Sequence, residues 1–197
     1  MSVALLPKFV LDNFEVSERH HAVAVLSVDF PQEYADLLTV LTAFRLRHSW
    51  ISVAGGNKSA IAKGINGAFA TRGWQEKAFD ISVEVDGVQV LSPTHHVDYF
   101  KNRVAIETEW NNKDPFYDRD LTSFRLLHEY NVVSVGVVIT RADDLQALIR
   151  RLPHREEFGG ANTTHFSALV PRMANRVGGG CPLLALGIRS SLYDPNS

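Results

Sequence analysis

An α/β or α+β domain built on a mixed sheet is what this sequence predicts, and three observations carry that expectation. Segments with strand-like and helix-like patterns alternate along the chain. A valine-rich run at 132–140, VVSVGVVIT, is apolar enough for a strand covered on both faces. No repeat, low-complexity tract or Pro/Gly/Ser linker divides the 197 residues, a length suited to one well-packed domain over 1–197.

Taken in order, 22–29 (AVAVLSVD) reads as a strand. Pro31 then opens a helix whose apolar residues recur at helical spacing. Gly55-Gly56-Asn57 breaks the chain, and 58–72 reads as a second helix ending at Gly73. Residues 79–91 suggest a hairpin turning at Asp86-Gly87. Strands follow at 97–100 and 103–110, then a helix over 118–130, the valine-rich strand, and helices over 143–152 and 163–176. Residues 183–188 make a last strand.

Composition narrows the function classes. Apolar residues make up 45% and charged residues 21%, an ordinary globular balance. No apolar run approaches the roughly 20 residues that span a bilayer, so no membrane association is expected. The amino terminus MSVALLPKFV lacks the features of a secretory signal, which predicts a cytoplasmic protein. Cys181, the single cysteine, excludes an intramolecular disulfide and reads as a buried thiol at the start of the last strand. A net charge of −2 argues against indiscriminate nucleic-acid binding but leaves a local basic face open. Arg150, Arg151, Arg155, Arg172 and Arg176 lie between Arg141 and Arg189, and solvated helix faces explain most of them equally well.

The chemistry concentrates in VDYFKNRVAIETEW, residues 97–110. Side chains alternate along a strand, so Val104, Ile106, Thr108 and Trp110 share one face, and Arg103, Ala105, Glu107 and Glu109 share the other. Carboxylates two positions apart stand about 7 Å apart, an unfavourable pairing without a cation or donor between them. If Lys101-Asn102 is a two-residue turn, Phe100 pairs with Arg103 and Asp98 with Ala105, so Asp98 joins the face of Glu107 and Glu109. Three carboxylates then surround one spot, a hard-oxygen site suited to Mg²⁺. The competing reading is three solvated surface acids. His95-His96 lack a third nitrogen ligand at defined spacing and read as turn histidines.

Asp98, Glu107 nine positions on, and Glu109 also resemble a PD-(D/E)XK nuclease signature. The wider segment resembles the BglII/BstYI type of Type II restriction endonuclease, in which an aspartate precedes a strand reading roughly V-A-I-E-x-Q and an aromatic. INGAF at 65–69 with RGW at 72–74, the ending GGGCPLLALGI, and VSERHHAVAVL near the start are similar to other parts of that family. Two departures stand out. Val97 occupies the place of the signature's proline, and Glu109 replaces the family's glutamine, which adds a charge.

The resemblance implies a restriction-endonuclease-like core, a central mixed sheet flanked by helices. It implies hydrolysis of double-stranded DNA at a short palindrome by a Mg²⁺-dependent homodimer, with a GATC centre, a 5′ overhang and a cognate DNA methyltransferase as functional partner. Asp98 and Glu107 become metal ligands, with the Thr108 carbonyl a further one. Glu109 becomes the residue that orients or deprotonates water, or ligates a second ion, and Asn66 steadies water or phosphate.

Lys113 and Arg119 in NNKDPFYDRD are candidates for phosphate contacts; a loop capping the helix through Asp118 or Asp120 is the alternative. Asn162, Thr163, Thr164 and His165 in ANTTHF are candidates for contacts to DNA bases, although Asn-Thr-Thr also opens ordinary helices. Rival functions are a repair or nicking nuclease of the same fold, a glycoside hydrolase using paired carboxylates, and an inactive DNA-binding module.

Overall fold

A six-stranded mixed sheet with helices on both faces forms the framework. The computed structural model describes residues 2–51, 60–91, 95–110, 112–151 and 164–197. The chain runs through α1 (Lys8–Asn13), β1 (Phe14–Arg19), α2 (Ala22–Asp29), α3 (Pro31–Ala43), β2 (Leu46–Arg47), α4 (His48–Ile51) and α5 (Ala60–Ala70). Then come β3 (Gln75–Phe79), β4 (Ser82–Val85), β5 (Val88–Leu91), β6 (His95–Lys101), β7 (Val104–Thr108), α6 (Pro115–Glu129) and β8 (Val135–Arg141). It ends with α7 (Asp143–Ile149), α8 (Phe166–Ala174), β9 (Leu183–Ile188) and β10 (Tyr193–Asp194).

Sheet order is β1-β9-β8-β7-β6-β3. The β7–β8 and β8–β9 pairs are parallel, and the other pairs are antiparallel. The expected strand at 132–140 forms as β8, from Val135 to Arg141, and that at 183–188 as β9; the two lie side by side within the sheet and are buried at every position. Alternation divides their side chains between two cores. Val104, Ile106, Val137, Ile139, Leu184 and Leu186 pack toward α2, α3 and α5. Ala105, Val138, Leu183 and Ala185 pack toward α6 and α8. On that second face two glycines set the helix distance. A Cβ on Gly136 would stand 2.4 Å from the Phe124 ring, and one on Gly187 2.9 Å from the Phe166 ring. Cys181 is fully buried, and burial pushes its thiol up to about 12.

Several expectations are corrected. Residues 22–29 form helix α2, not a strand, and the strand is the preceding β1 on the sheet edge. His20 and His21, both left-handed at φ 52° and 57°, turn the chain between them. The Glu18 carboxylate accepts the Val23 N–H in the first turn of α2 (3.2 Å), and Ala22, Val23 and Leu26 bury against the sheet. Tertiary burial therefore overrides the strand preference of the valines. The 79–91 hairpin is present as β4 and β5, with Asp86 and Gly87 at φ 50° and 79°, while β3 was not expected. Helix α6 starts at Pro115 rather than 118, so Asp118 and Asp120 lie inside it and neither caps it. His95 and His96 lie in strand β6, not in a turn, and His95 Nδ1 is 3.0 Å from Ser123 Oγ. The first part of the 58–72 helix, Arg155, and the start of 163–176 lie outside the described residues. No described helix is long and apolar enough to cross a membrane.

Candidate active site

The β6–β7 hairpin brings the first two acids together, by a register different from the expected one. The turn is Asn102-Arg103, left-handed at φ 42° and 68°, rather than Lys101-Asn102. Lys101 stays in β6, where its Nζ donates to Asp36 Oδ2 (2.7 Å) and the Arg72 carbonyl (2.9 Å). Pairing is therefore Lys101↔Val104, Phe100↔Ala105 and Tyr99↔Ile106. Asp98 comes level with Glu107 instead of Ala105. The slip is two residues, which preserves the face.

On the other side of β6, Gln75 pairs with Phe100 and Lys77 with Val97, so β6 carries one residue more than β3 between those pairs. This β-bulge falls at Asp98-Tyr99, a local bend of the kind found beside active sites. Two hydrogen bonds then cross between the strands. Asp98 Oδ2 accepts the Thr108 N–H at 3.0 Å, and Glu107 Oε2 accepts the Asp98 N–H at 3.4 Å.

Glu107 is only 3% exposed, and its Oε1 has no hydrogen-bond partner. Glu109 is equally buried just past the end of β7. Its N–H donates to the Ile139 carbonyl at 2.9 Å, and its own carbonyl accepts from Thr140 Oγ1 at 2.9 Å. These bonds to β8 fix the backbone. Its carboxylate accepts from Asn112 Nδ2 at 2.6 Å and meets Arg119 Nη2 at 3.4 Å.

Helix α6 adds a fourth acid that the sequence reading placed only as a possible cap. Asp120 is 1% exposed; its Oδ1 accepts from Arg119 Nε (2.9 Å) and Nη2 (2.7 Å), and its Oδ2 has no partner. The signal was present in the sequence. Tyr117, Asp120, Leu121, Phe124 and Leu127 share the buried face of α6, so an aspartate stands at a core-facing position of an amphipathic helix.

The electrostatics follow from this crowding. Burial, then Asp120 and Asp98, push Glu107 well above the usual carboxylate range. Burial and the neighbouring Asp120 push Glu109 up to about 8. Asp120 is raised by burial, against the pull of Glu109 and Arg119. Without a cation, Glu109 and Asp120 hold a proton between them near neutral pH. Unpaired carboxylate oxygens at such depth are costly unless a cation or proton compensates them. Among the described residues no three His, Cys, Asp or Glu side chains stand at metal-holding spacing, and Asp98 is turned onto the Thr108 N–H.

The other candidates divide. Thr108 ends β7 beside this cluster. Asn66 is half-buried on α5, one turn before Phe69, whose ring stacks on Tyr99 at 4.8 Å. No hydrogen bond among the described residues joins Asn66 to the acids. Lys113 is exposed just before α6, and the Arg119 side chain is 57% exposed at the rim of the cluster. Thr164 is fully buried, its hydroxyl donating to the Trp110 and Asn112 carbonyls (3.2 and 3.3 Å), which places it in the core rather than on a DNA-facing surface. His165 is half-buried at the start of α8; Asn162 and Thr163 lie outside the described residues. Of the arginines, Arg150, Arg151 and Arg176 are exposed. Arg141 is buried 5.5 Å over the Trp110 ring, and Arg172 is tied to Asp114 and Asp118.

Comparison with known proteins gives one family. The model of the family described as restriction endonuclease BglII/BglIII matches residues 14–188. Those limits are the first residue of β1 and the last of β9, so the match spans the whole six-stranded sheet. No curated protein matches the chain significantly.

Proposed function

This chain belongs to the BglII/BglIII restriction endonuclease family, and on that premise we propose that it is a Type II enzyme hydrolysing double-stranded DNA at a short palindrome with Mg²⁺. One observation carries the reading: Asp98 and Glu107 are joined across the β6–β7 hairpin, Glu107 is buried with an unpartnered oxygen, and the buried Glu109 follows just past the end of β7.

The residues fit a hard divalent cation. The donor set is entirely oxygen, and among the described residues the cation set against the buried negative charge is the peripheral Arg119. Asp98 and Glu107 would hold the ion, with the Thr108 carbonyl. When bound, it supplies Lewis-acid stabilisation of the phosphoryl oxygens and acidifies a ligated water.

The chain's own groups do the rest. Glu109, held by Asn112, takes the proton of the attacking water. Arg119 and Lys113 meet phosphate oxygens, and Asn66 steadies water or phosphate from α5. Asn162, Thr163 and His165 are proposed to approach base edges, with Thr164 anchoring their segment from the core. A two-fold homodimer supplies one site per strand and matches a palindrome, with GATC as its proposed centre. A cognate methyltransferase would protect host DNA.

The test is incubation of the purified protein with phage DNA and Mg²⁺, followed by sequencing of the ends. Defined ends at a palindrome are expected. Glu107→Ala and Asp98→Asn should abolish cleavage while DNA binding in Ca²⁺ survives. Retention of more than about a few per cent of the rate by either variant would overturn the assignment, since a lost metal ligand removes several kcal/mol of transition-state stabilisation.

A further inference from the structure

Arg119 stands at the rim of the carboxylate cluster with two acids in reach, and it is bound by the one that the nuclease signature does not include. Its Nε and Nη2 both donate to Asp120 Oδ1, at 2.9 and 2.7 Å, whereas Nη2 reaches Glu109 Oε1 only at 3.4 Å. The Phe116 ring supports the guanidinium from another side, 4.5 Å from its centroid. Consecutive helix residues do not face each other, so Arg119 must fold back over α6 to make this contact.

A counterion for an exposed arginine works equally well from the surface. Asp120 is instead 1% exposed, with Oδ2 buried and given no donor, and its carboxyl lies against that of Glu109. That arrangement costs stability. The helix is also brought close on purpose: Phe124, one turn on, rests on the bare backbone of Gly136. A buried carboxylate kept on a closely packed helix calls for a functional account.

We propose that Asp120 is a positioning residue of the cleavage site: through Oδ1 it holds the Arg119 guanidinium away from Glu109 and at the mouth of the cluster, available to the scissile phosphate. The proposal rests on the nuclease reading above. Without Asp120, Arg119 closes onto Glu109 in a short ion pair, which neutralises the acid that must receive the water proton and withdraws the cation from the phosphate. Both effects act on the reaction rather than on ground-state DNA binding.

The experiment is a double-mutant cycle on the full chain, with single-turnover cleavage in Mg²⁺ and DNA affinity in Ca²⁺. Asp120→Ala should lower the cleavage rate roughly tenfold or more while Kd for DNA moves less than about threefold. Asp120→Asn, which keeps an oxygen acceptor for Arg119, should recover part of the rate. In an Arg119→Ala background, Asp120→Ala should cost less than about threefold further, because it acts through the missing guanidinium.

An undiminished rate in Asp120→Ala overturns the proposal, as does the same loss with or without Arg119. If Asp120→Ala fails to fold, the cycle is run with Asp120→Asn and the same criterion. The Arg119 Nε–H resonance, shielded from exchange in the wild type and lost in Asp120→Ala, reads the clamp without reference to activity. If the wild type cuts no DNA, the nuclease reading fails and the cleavage role fails with it, while this resonance still reports whether the clamp exists. If the wild type cuts and the cycle is additive, only the role of Asp120 fails.

Discussion

Replacing Glu109 by Gln should stabilise the metal-free protein at pH 8 and leave its stability near pH 4 almost unchanged. Glu109 is 2% exposed beside Asp120, and its carboxyl is pushed up to about 8 from an ordinary value of 4.5. In the unfolded chain the group ionises near that ordinary value. Between the two, the folded state holds a proton that the unfolded state has lost, so unfolding becomes easier as pH rises. The stability is fully present below about pH 4.5 and is lost by the time pH passes the folded value. Each pH unit in this window is worth about 1.4 kcal/mol per group. Structural relaxation and the shared proton reduce the sum, which leaves roughly 2–4 kcal/mol at pH 8 against a total stability of about 5–15 kcal/mol.

Glutamine is neutral throughout the window. Its carbonyl keeps the Asn112 contact, and its amide can donate to the unpartnered Asp120 Oδ2. The assay is urea unfolding followed by tryptophan fluorescence, in EDTA, at several pH values from 4 to 8. The variant should match the wild type at the acid end and exceed it by roughly the amount above at pH 8, with a shallower slope that Glu107 and Asp120 still impose. A variant less stable at pH 8, or a difference independent of pH, would refute the reasoning. Saturating Ca²⁺ should shrink the gap, because a bound cation removes the repulsion. Gln is also the residue of the resembled relatives, so partial cleavage is expected; if Gln is as inactive as Ala, a negative charge is required there.

Two further predictions test the framework. Gly136→Ala drives a methyl into the Phe124 ring; overpacking should cost about 1–3 kcal/mol, a Tm loss of roughly 2–10 °C at this chain length, with partial rescue by Phe124→Leu. An unchanged melting curve would mean that α6 is not held at that distance. Asp36→Asn tests the tie between α3 and the end of β6. Burial alone would raise the Asp36 carboxyl, but donors on Lys101, Trp74 and Gln32 together hold it below its usual value. Its contribution is therefore present above the unfolded value of 3.8 and lost as pH falls through the folded one. The variant should lose about 1.5–3 kcal/mol at pH 7, and the difference should shrink progressively as pH falls below 3.8 in urea titrations; a loss that does not change with pH would contradict the sign.

Much of this molecule was legible in local pattern. The strands at 132–140 and 183–188 announced themselves because both their faces are buried, which leaves nearly unbroken apolar runs. Asp86-Gly87 announced its hairpin because few dipeptides accept two left-handed residues. The face shared by Asp98 and Glu107 was right even though the turn was misplaced, because side-chain period is two and the slip was two residues. Spacing and residue type thus placed the acids on one face, and the resemblance of several segments pointed to the family.

What only the tertiary structure decided is where several polar groups and one apolar segment went. Residues 22–29 carry strand-like composition yet form a helix, since Glu18 and the sheet face beneath them reward that form. Thr164 looks like a group offered to DNA but is closed into the core by two carbonyls on a loop some 50 residues earlier in sequence. Asp120 looks like one more acid of a polar helix start, and becomes a wall of the carboxylate cluster because Gly136 lets α6 settle against the sheet. Periodicity is a property of neighbours in sequence, so it reports which face a residue takes. Burial, pairing and charge depend on which distant backbone arrives on that face, and only the packed fold determines that.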